Sequence, residues 1–169
     1  MIRLADVEDA AALDHFFGQL DRETGFMLYE VGERPSNIEG QRQRLEAMAA
    51  VPNQAMWLLV LAGEVQGFAV LIGGGLARNR HCAQVVMGLR SNARGQGWGE
   101  RLLRTLIASA PDCGISRLEL GVMAHNEAAH SLYRKCGFLD EGLRRQAYRL
   151  DEGYVDEISM GLLLPPTTP

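Results

Sequence analysis

The sequence predicts one mixed α/β domain built on a partly antiparallel sheet, and three observations predict it. Apolar residues switch several times between the spacing of a helix face and the two-residue alternation of a strand. Glycine, proline and asparagine fall between those segments rather than inside them. The resulting order, β-α-α-β-β-β-α-β-α-β-β, contains adjacent strands that can pair as hairpins and others that need a helical crossover. A chain of 169 residues can bury one sizeable core and hardly two, and no repeat or linker divides it. The domain is expected over 1–164, followed by a loose tail at 165–169, PPTTP.

The elements follow in order. Residues 2–4 read as a short strand. Asp6, with Asp9 three residues on, can cap a helix whose Ala10, Leu13, Phe16, Phe17 and Leu20 share one face. Residues 23–37 are irregular, broken by Gly25, Gly32 and Pro35 yet apolar at Phe26, Met27, Leu28 and Tyr29. Ser36 or Asn37 can cap a second helix that runs to about Ala50. Residues 56–62 and 65–72 read as a hairpin turning at Gly63-Glu64, and 81–90 as a fourth strand. A helix is expected over 98–109, ended by Pro111 and Gly114, then a strand over 116–123. A helix over 126–136 is closed by Gly137, and residues 138–150 and 153–164 form a last antiparallel pair.

Composition narrows the function. A net charge of −4 argues against a protein that grips a nucleic-acid backbone, which leaves a basic footprint. No apolar run reaches the length of about 20 residues that crosses a bilayer, and the N-terminus lacks the pattern of a secretory signal. Cys82, Cys113 and Cys136 are odd in number and have no CxxC spacing, which points to a reducing cytoplasm. His125 and His130 are five apart, not the four of a zinc-binding helix pair, so no metal is expected.

The stretch RGQGWGERLL, starting at Arg94, places Gly95, Gly97 and Gly99 directly before a helical run. A helix start carries unpaired N–H groups and the positive end of the dipole, and glycines let phosphate oxygens approach that backbone. With Arg94 beside it, the loop reads as a pyrophosphate cradle; a tight structural turn is the plainer alternative. A P-loop would end in GK[ST], where this chain has Gly99-Glu100. A dinucleotide fingerprint would need a third glycine where Glu100 stands, although Glu119 could serve as its ribose-binding acid.

The pattern Arg94-x-x-Gly97-x-Gly99 resembles the phosphate-binding signature of the GNAT superfamily of N-acetyltransferases. Asn126, Ala129, Leu132, Tyr133, Gly137 and Phe138 match that family's N-x-x-A-x-x-L-Y-x-x-x-G-F at the expected distance. Asn126, Ala129 and Tyr133 also share a helix face by their spacing. The resemblance implies about four helices on a mixed, mostly antiparallel sheet whose central strands splay at 86–89 and 120–123. It implies acetyl-CoA as co-substrate, with the backbone of Met87 and Leu89 pairing with the pantetheine arm. Backbone N–H groups of Gly95, Gln96, Gly97, Trp98 and Gly99 would take the pyrophosphate, beside Arg94. Asn126 would bind the pantetheine or phosphate region, with Ala129 on the same face. Tyr133 would protonate the departing thiolate, and the Leu89 N–H would polarise the thioester carbonyl.

The resemblance further implies a primary-amine acceptor, either a small molecule such as an amino acid or polyamine, or a protein, and a cytoplasmic homodimer. The acceptor pocket would be built from Phe26–Tyr29 and from residues 144–156, where Arg144, Arg145, Tyr148 and Arg149 crowd one strand. Relatives often carry the general base as a carboxylate on the fourth strand; here HCAQVVMGLR has none. Glu119, Asp156, His81 and a water relay stay open as substitutes. That missing carboxylate motivates a second reading, a non-catalytic acyl-CoA-binding or sensing domain. Cys136 reads as core rather than as a nucleophile.

Overall fold

Helix α1 (Ala10–Glu23) forms on the predicted face: Ala10, Leu13, Phe16, Phe17 and Leu20 are all buried. Asp6 caps a single 3-10 turn, Val7–Asp9, that leads into it, accepting the Glu8 N–H at 2.8 Å, while Asp9 returns a bond to the Asp6 N–H at 2.9 Å. Of the two candidate caps of α2 (Ile38–Ala49), Asn37 does the work, accepting the Gly40 N–H at 3.1 Å. The Ser36 hydroxyl donates to Asp14 of α1 instead, at 2.7 Å. The structure is a computed structural model and describes residues 1–165, so all but Pro165 of the expected tail lies outside the described residues.

The strands are β1 (Ile2–Leu4), β2 (Gln54–Leu61), β3 (Glu64–Gly73), β4 (Cys82–Leu89), β5 (Arg117–Met123), β6 (Leu139–Leu150) and β7 (Gly153–Leu163). Helices α3 (Trp98–Ser109) and α4 (Glu127–Lys135) complete the described elements, apart from short 3-10 turns. The β2–β3 turn is Ala62-Gly63, one residue earlier than expected. A two-residue hairpin loop of this type needs positive φ at both centres, and Ala62 (φ +50°) and Gly63 (φ +84°) supply it. Glu64 already pairs with Leu61. Asn126 and Cys136 stand just outside α4 as its caps rather than within it, and Gly137 follows at φ +99°.

The strands form one sheet in the order β1-β2-β3-β4-β5-β7-β6. Every neighbouring pair is antiparallel except β4 with β5, which run parallel and are joined through α3. Strand alternation divides the apolar residues between two cores. On one face Leu58, Phe68 and Val70 meet α1 and α2. On the other, Trp57, Leu59, Leu71, Val85, Leu118, Leu120 and Met160 meet Leu102, Leu103 and Leu106 of α3 and Tyr133 of α4.

The central pair decides the shape. β4 pairs with β3 along its whole length, from Ala83 to Leu89, and β5 pairs with β7 along its whole length, from Arg117 to Met123. β4 and β5 pair with each other only at Cys82–Gln84 against Arg117–Glu119. Beyond that they part, and the expected splay at 86–89 and 120–123 is present.

Leu106 is fully buried where α3 packs on the sheet. Leu106→Ala is expected to lower the free energy of unfolding by about 2–5 kcal/mol through lost contacts and a residual cavity. Urea melts followed by circular dichroism should show the midpoint falling with an unchanged slope.

Candidate functional site

The splay opens into a cleft of about 970 Å³ that runs from the start of α3 to the loop after α1. One wall is the unpaired edge of β4. The Arg90 N–H bonds to Gln66 C=O, and Cys82 C=O accepts from Gly74, so the even-numbered residues of β4 spend their backbone groups on β3. By the alternation of an antiparallel ladder, the backbone groups of Met87 and Leu89 point the other way, toward a neighbour that β5 no longer supplies. Arg94 takes part of that edge, its Nε donating to Leu89 C=O at 3.0 Å. The Leu89 N–H and both backbone groups of Met87 are left facing the cleft.

At the end of β4 a clamp holds the glycine loop. Glu23, the last residue of α1, accepts two bonds from the Arg90 guanidinium at 2.9 and 2.7 Å and a third from the Ser91 N–H at 2.7 Å. The Arg90 guanidinium holds the Glu23 carboxyl below its ordinary range. The chain then turns through Gly95 (φ +71°) and Gly97 (φ +80°), and Gly97 is the N-cap of α3 without any side chain to cap it. The first α3 N–H with an intrahelical acceptor is that of Arg101, bonded to Gly97 C=O at 3.1 Å. The N–H groups of Trp98, Gly99 and Glu100 are therefore the open donors of a helix start.

The three glycines do different jobs. A Cβ on Gly95 or Gly97 would meet nothing within 4 Å, so these two are required by positive φ and border open space. A Cβ on Gly99 would lie 3.3 Å from Leu132 of α4 and 3.5 Å from Leu89, so this glycine lets α3 approach its neighbours. Gln96 and Trp98 turn their side chains elsewhere. The Gln96 amide donates to Asn92 C=O at 2.7 Å, and the Trp98 ring carries the Arg101 guanidinium at 4.6 Å. Glu100 in the first turn is held below its ordinary range by Lys135 of α4 and then by Arg104, which offsets its charge at the helix start.

The opposite wall comes from α4 and β5. The Asn126 Oδ1 is spent on the Ala129 N–H at 3.2 Å as the α4 cap, leaving its Nδ2 for the cleft. Met87, Leu89, Arg94, Gly95, Gly97, Gly99, Asn126, Ala129 and Tyr133 all line this one cleft. Leu132 of the same motif packs on the core with one side and lines the cleft with the other. Tyr133 is 9% exposed, and burial alone pushes its hydroxyl up to about 12. His125 stacks on Phe26 with ring centroids 5.0 Å apart, and His130 pairs with Asp140 at 2.8 Å. Cys136 is buried in the core, as expected.

At the far end, the irregular segment after α1 is pinned by Arg34. Its guanidinium makes two bonds to Asp21 at 2.6 and 2.9 Å and lies between the Phe17 and Tyr29 rings, at 4.4 and 4.3 Å from their centroids. Phe26, Met27, Leu28 and Tyr29 thereby roof the cleft, with Met27 also packing on the α1 core.

None of the three residues weighed as base lines the cleft. Glu119 closes the paired end of the splay, accepting from Gln84, Cys82 and Arg117. Asp156 accepts the Gln146 N–H at 2.8 Å where β6 is irregular. His81 is exposed, just before β4. Two carboxylates line the cleft: Glu100 at the start of α3, paired with Lys135 and Arg104, and Glu157, buried to 7% exposure on β7. Glu157 accepts from Arg144 at 2.6 Å and from the Tyr148 hydroxyl. Period-two alternation was the available signal: Ile158, Met160 and Leu162 place even positions on the apolar face with Asp156, so Glu157 belongs to the opposite one.

The sequence model of the acetyltransferase (GNAT) family matches residues 19–138. The chain belongs to this family. A crystal structure of a GNAT-family acetyltransferase from Streptococcus pneumoniae superposes with a TM-score of 0.93 at 30% identity, covering 98% of this chain and 99% of that one. A ribosomal-protein-alanine N-acetyltransferase from Brucella melitensis gives 0.85 at 27% identity, covering 97% and 99%. The alanine N-acetyltransferase of ribosomal protein bS18 from Escherichia coli K12 is 40% identical over 67 residues, 40% of this chain and 45% of that protein. The chain matches about half the length of the curated relatives, with 52% of an N-acetyltransferase from Bacillus subtilis covered at 35% identity. The GNAT fold, with its seven-stranded sheet and four helices, is the one described above.

Burial of Tyr133 has a consequence for stability. An unfolded tyrosine titrates near 10, so a hydroxyl raised to about 12 contributes stability that is complete below pH 10 and lost as pH rises toward 12. Tyr133→Phe is expected to flatten the decline of stability over that window, without abolishing it, since Tyr148 is also pushed up to about 12 by burial and by Glu157. Urea melts at steps from pH 9 to 12 check this.

Proposed function

We propose that this GNAT protein is an acetyl-CoA-dependent N-acetyltransferase that transfers an acetyl group to a primary amine by direct attack in a ternary complex. The observation that carries the reading is the conjunction, in one cleft, of an unpaired strand edge, an uncapped helix start and a buried tyrosine hydroxyl. The edge of β4 at Met87 and Leu89 suits an extended chain of alternating amides, which binds there as an added strand. The open N–H groups of Trp98, Gly99 and Glu100, with the Arg94 guanidinium near the loop, suit a pyrophosphate. The space bordering Gly95 and Gly97 is where a Cβ would have intruded.

The co-substrate supplies an activated acetyl group on a thiol of pKa about 8.5, a leaving group that departs faster with a proton donor beside it. Tyr133 is that donor. Pushed up to about 12 by burial, it keeps its proton at neutral pH, and among the described residues no acceptor is bonded to its hydroxyl. The Leu89 N–H stabilises the oxyanion that develops on the attacked carbonyl.

The acceptor enters under the roof of Phe26, Met27, Leu28 and Tyr29. The relatives named for ribosomal-protein alanine acetylation support an amine acceptor as a class. A small-molecule amine and a protein amine both remain within the reading, and a cytoplasmic homodimer is carried into it from the resemblance alone.

Calorimetric titration with acetyl-CoA, with NADH as control, followed by thiol release against a panel of amines, tests the whole reading. Acetyl-CoA binding and amine-dependent thiol release are expected; absence of binding overturns it. Gly97→Glu is expected to abolish acetyl-CoA binding by placing a carboxylate at the helix start. Tyr133→Phe is expected to lower kcat by about 10²-fold while leaving the acetyl-CoA Kd within about twofold. An unchanged kcat removes Tyr133 from the role of acid.

A further inference from the structure

An alkylamine acceptor is protonated at neutral pH and must lose a proton before its nitrogen can attack, so the cleft needs a proton acceptor that the sequence did not identify. We propose that Glu157, on β7, is the general base of the reaction, occupying from one strand away the space that a β5 side chain at position 121 would fill. The proposal rests on the acetyl-transfer reading above and assigns a residue to its unfilled role.

The space is defined by Gly121. A Cβ built there would lie 2.4 Å from the Glu157 carboxyl carbon and 2.5 and 2.8 Å from its oxygens. Gly121 belongs to the arm of β5 that has left β4, and both residues line the cleft. The glycine is therefore what admits the carboxylate, and the carboxylate is what fills the wall at that point.

Burying a carboxylate costs several kcal/mol unless it is paired, and the pairing here is partial. Arg144 donates to Oε1 and Tyr148 to Oε2. A carboxylate offers about four lone-pair sites, so acceptor capacity remains for a donor in the cleft. The charged and titratable groups seen bonded to Glu157 are these two, both from β6; β5 presents Gly121, and on β7 itself Asp156 turns to the Gln146 N–H. The Arg144 side chain is itself 64% exposed, so solvent weakens its hold on the shared charge. Tyr148 and Arg144 are positioning residues: they fix the carboxylate.

The step balances as follows. The ammonium R–NH3⁺ gives one proton to the Glu157 carboxylate, and the freed lone pair forms the C–N bond as the carbonyl pair moves to oxygen. Collapse re-forms the carbonyl and breaks the C–S bond, the sulfur taking the Tyr133 proton. The second proton of the attacking nitrogen returns to the Tyr133 oxygen, and Glu157 releases its own to water. The sum is R–NH3⁺ plus acetyl thioester giving acetamide, thiol and one proton.

The test is the pH profile of kcat/KM for Glu157→Gln, which keeps the shape of the side chain, against the wild-type chain. The probes are phenethylamine, spermidine and Nα-acetyl-lysine, with thiol release as readout. An amine of pKa about 10.4 is neutral in only about one molecule in 10³ at pH 7, and in roughly one in four at pH 10. Glu157→Gln is expected to lose at least about 10²-fold at pH 7 and to recover to within about fivefold of wild type by pH 10, with acetyl-CoA binding unchanged by calorimetry. A structural role would give a deficit independent of pH; that result, or no deficit, overturns the assignment while leaving acetyl transfer intact. No thiol release from the wild-type chain with any of the three amines overturns acetyl transfer to alkylamines, and the assignment with it. If Glu157→Gln does not fold, Gly121→Ala must show the same pH-dependent loss, because its methyl displaces the carboxylate. A wild-type profile for Gly121→Ala then overturns the proposal.

Discussion

The rest of the molecule depends on where the parallel ladder between β4 and β5 stops. Three residues of each strand pair, and then two strands that remain fully bonded on their outer sides lose each other. Backbone N–H and C=O groups that leave a ladder must find other partners or water. Here they face a cleft, and on the proposed reading the break is a binding edge rather than a defect. The closed end is reinforced by side chains: Gln84 donates to Glu119, Cys82 lies against the same carboxylate, and Arg117 bridges Glu119 to Glu141 of β6. The sheet thus behaves as two half-sheets, β1 to β4 and β5 with β7 and β6, hinged at a short polar rung.

Because α3 connects the two arms, its first turn is placed at the mouth of the opening. A helix start capped by glycine rather than by a side chain costs roughly a few tenths of a kcal/mol. At Gly97 that cost coincides with positive φ at two glycines, open space beside both, and a clamp of Glu23 on Arg90 and Ser91 that anchors the loop from the opposite layer. Local weakness is thereby held in a fixed geometry by α1. The same helix carries the segment that Arg34 and Asp21 pin over the far end of the cleft, so α1 governs both ends.

Much of this was legible in the sequence. The periods of α1 and α3 and the hairpin strands follow from side-chain alternation, which is local. The turn shifted from Gly63-Glu64 to Ala62-Gly63 because hairpin register, not the glycine alone, decides which residues take positive φ. The three glycines looked alike in one dimension, and only the approach of Leu132 separates Gly99 from the other two. The splay was readable through family resemblance and not from VVMGL itself, since nothing in those residues says that a neighbour will be absent. Glu157 was missed for a similar reason. Its neighbour Asp156 has the same chemistry, and what distinguishes them is the face each takes on β7 and the fact that residue 121, on the adjacent strand and two residues off in register, has no side chain.

The acid–base logic of the proposed acetyl transfer rests on desolvation shared by the groups of the cleft rather than on any single shifted group. A tyrosine raised to about 12 is by itself a poor donor to a thiolate of ordinary pKa near 8.5, being weaker by more than three units. The comparison is made in the wrong medium, however. Burial disfavours every anion in the same sense, and the chain's own Cys113 and Cys136 thiols are pushed up by it. A thiolate leaving beside Tyr133 is desolvated by the same walls that desolvate the phenol, so the two acidities move together and the gap narrows. At the acceptor end the Glu157 carboxylate is bonded to Arg144, whose side chain reaches solvent. In the proposed reaction a buried phenol that gives a proton and a buried carboxylate that takes one would serve the same cleft in one turnover.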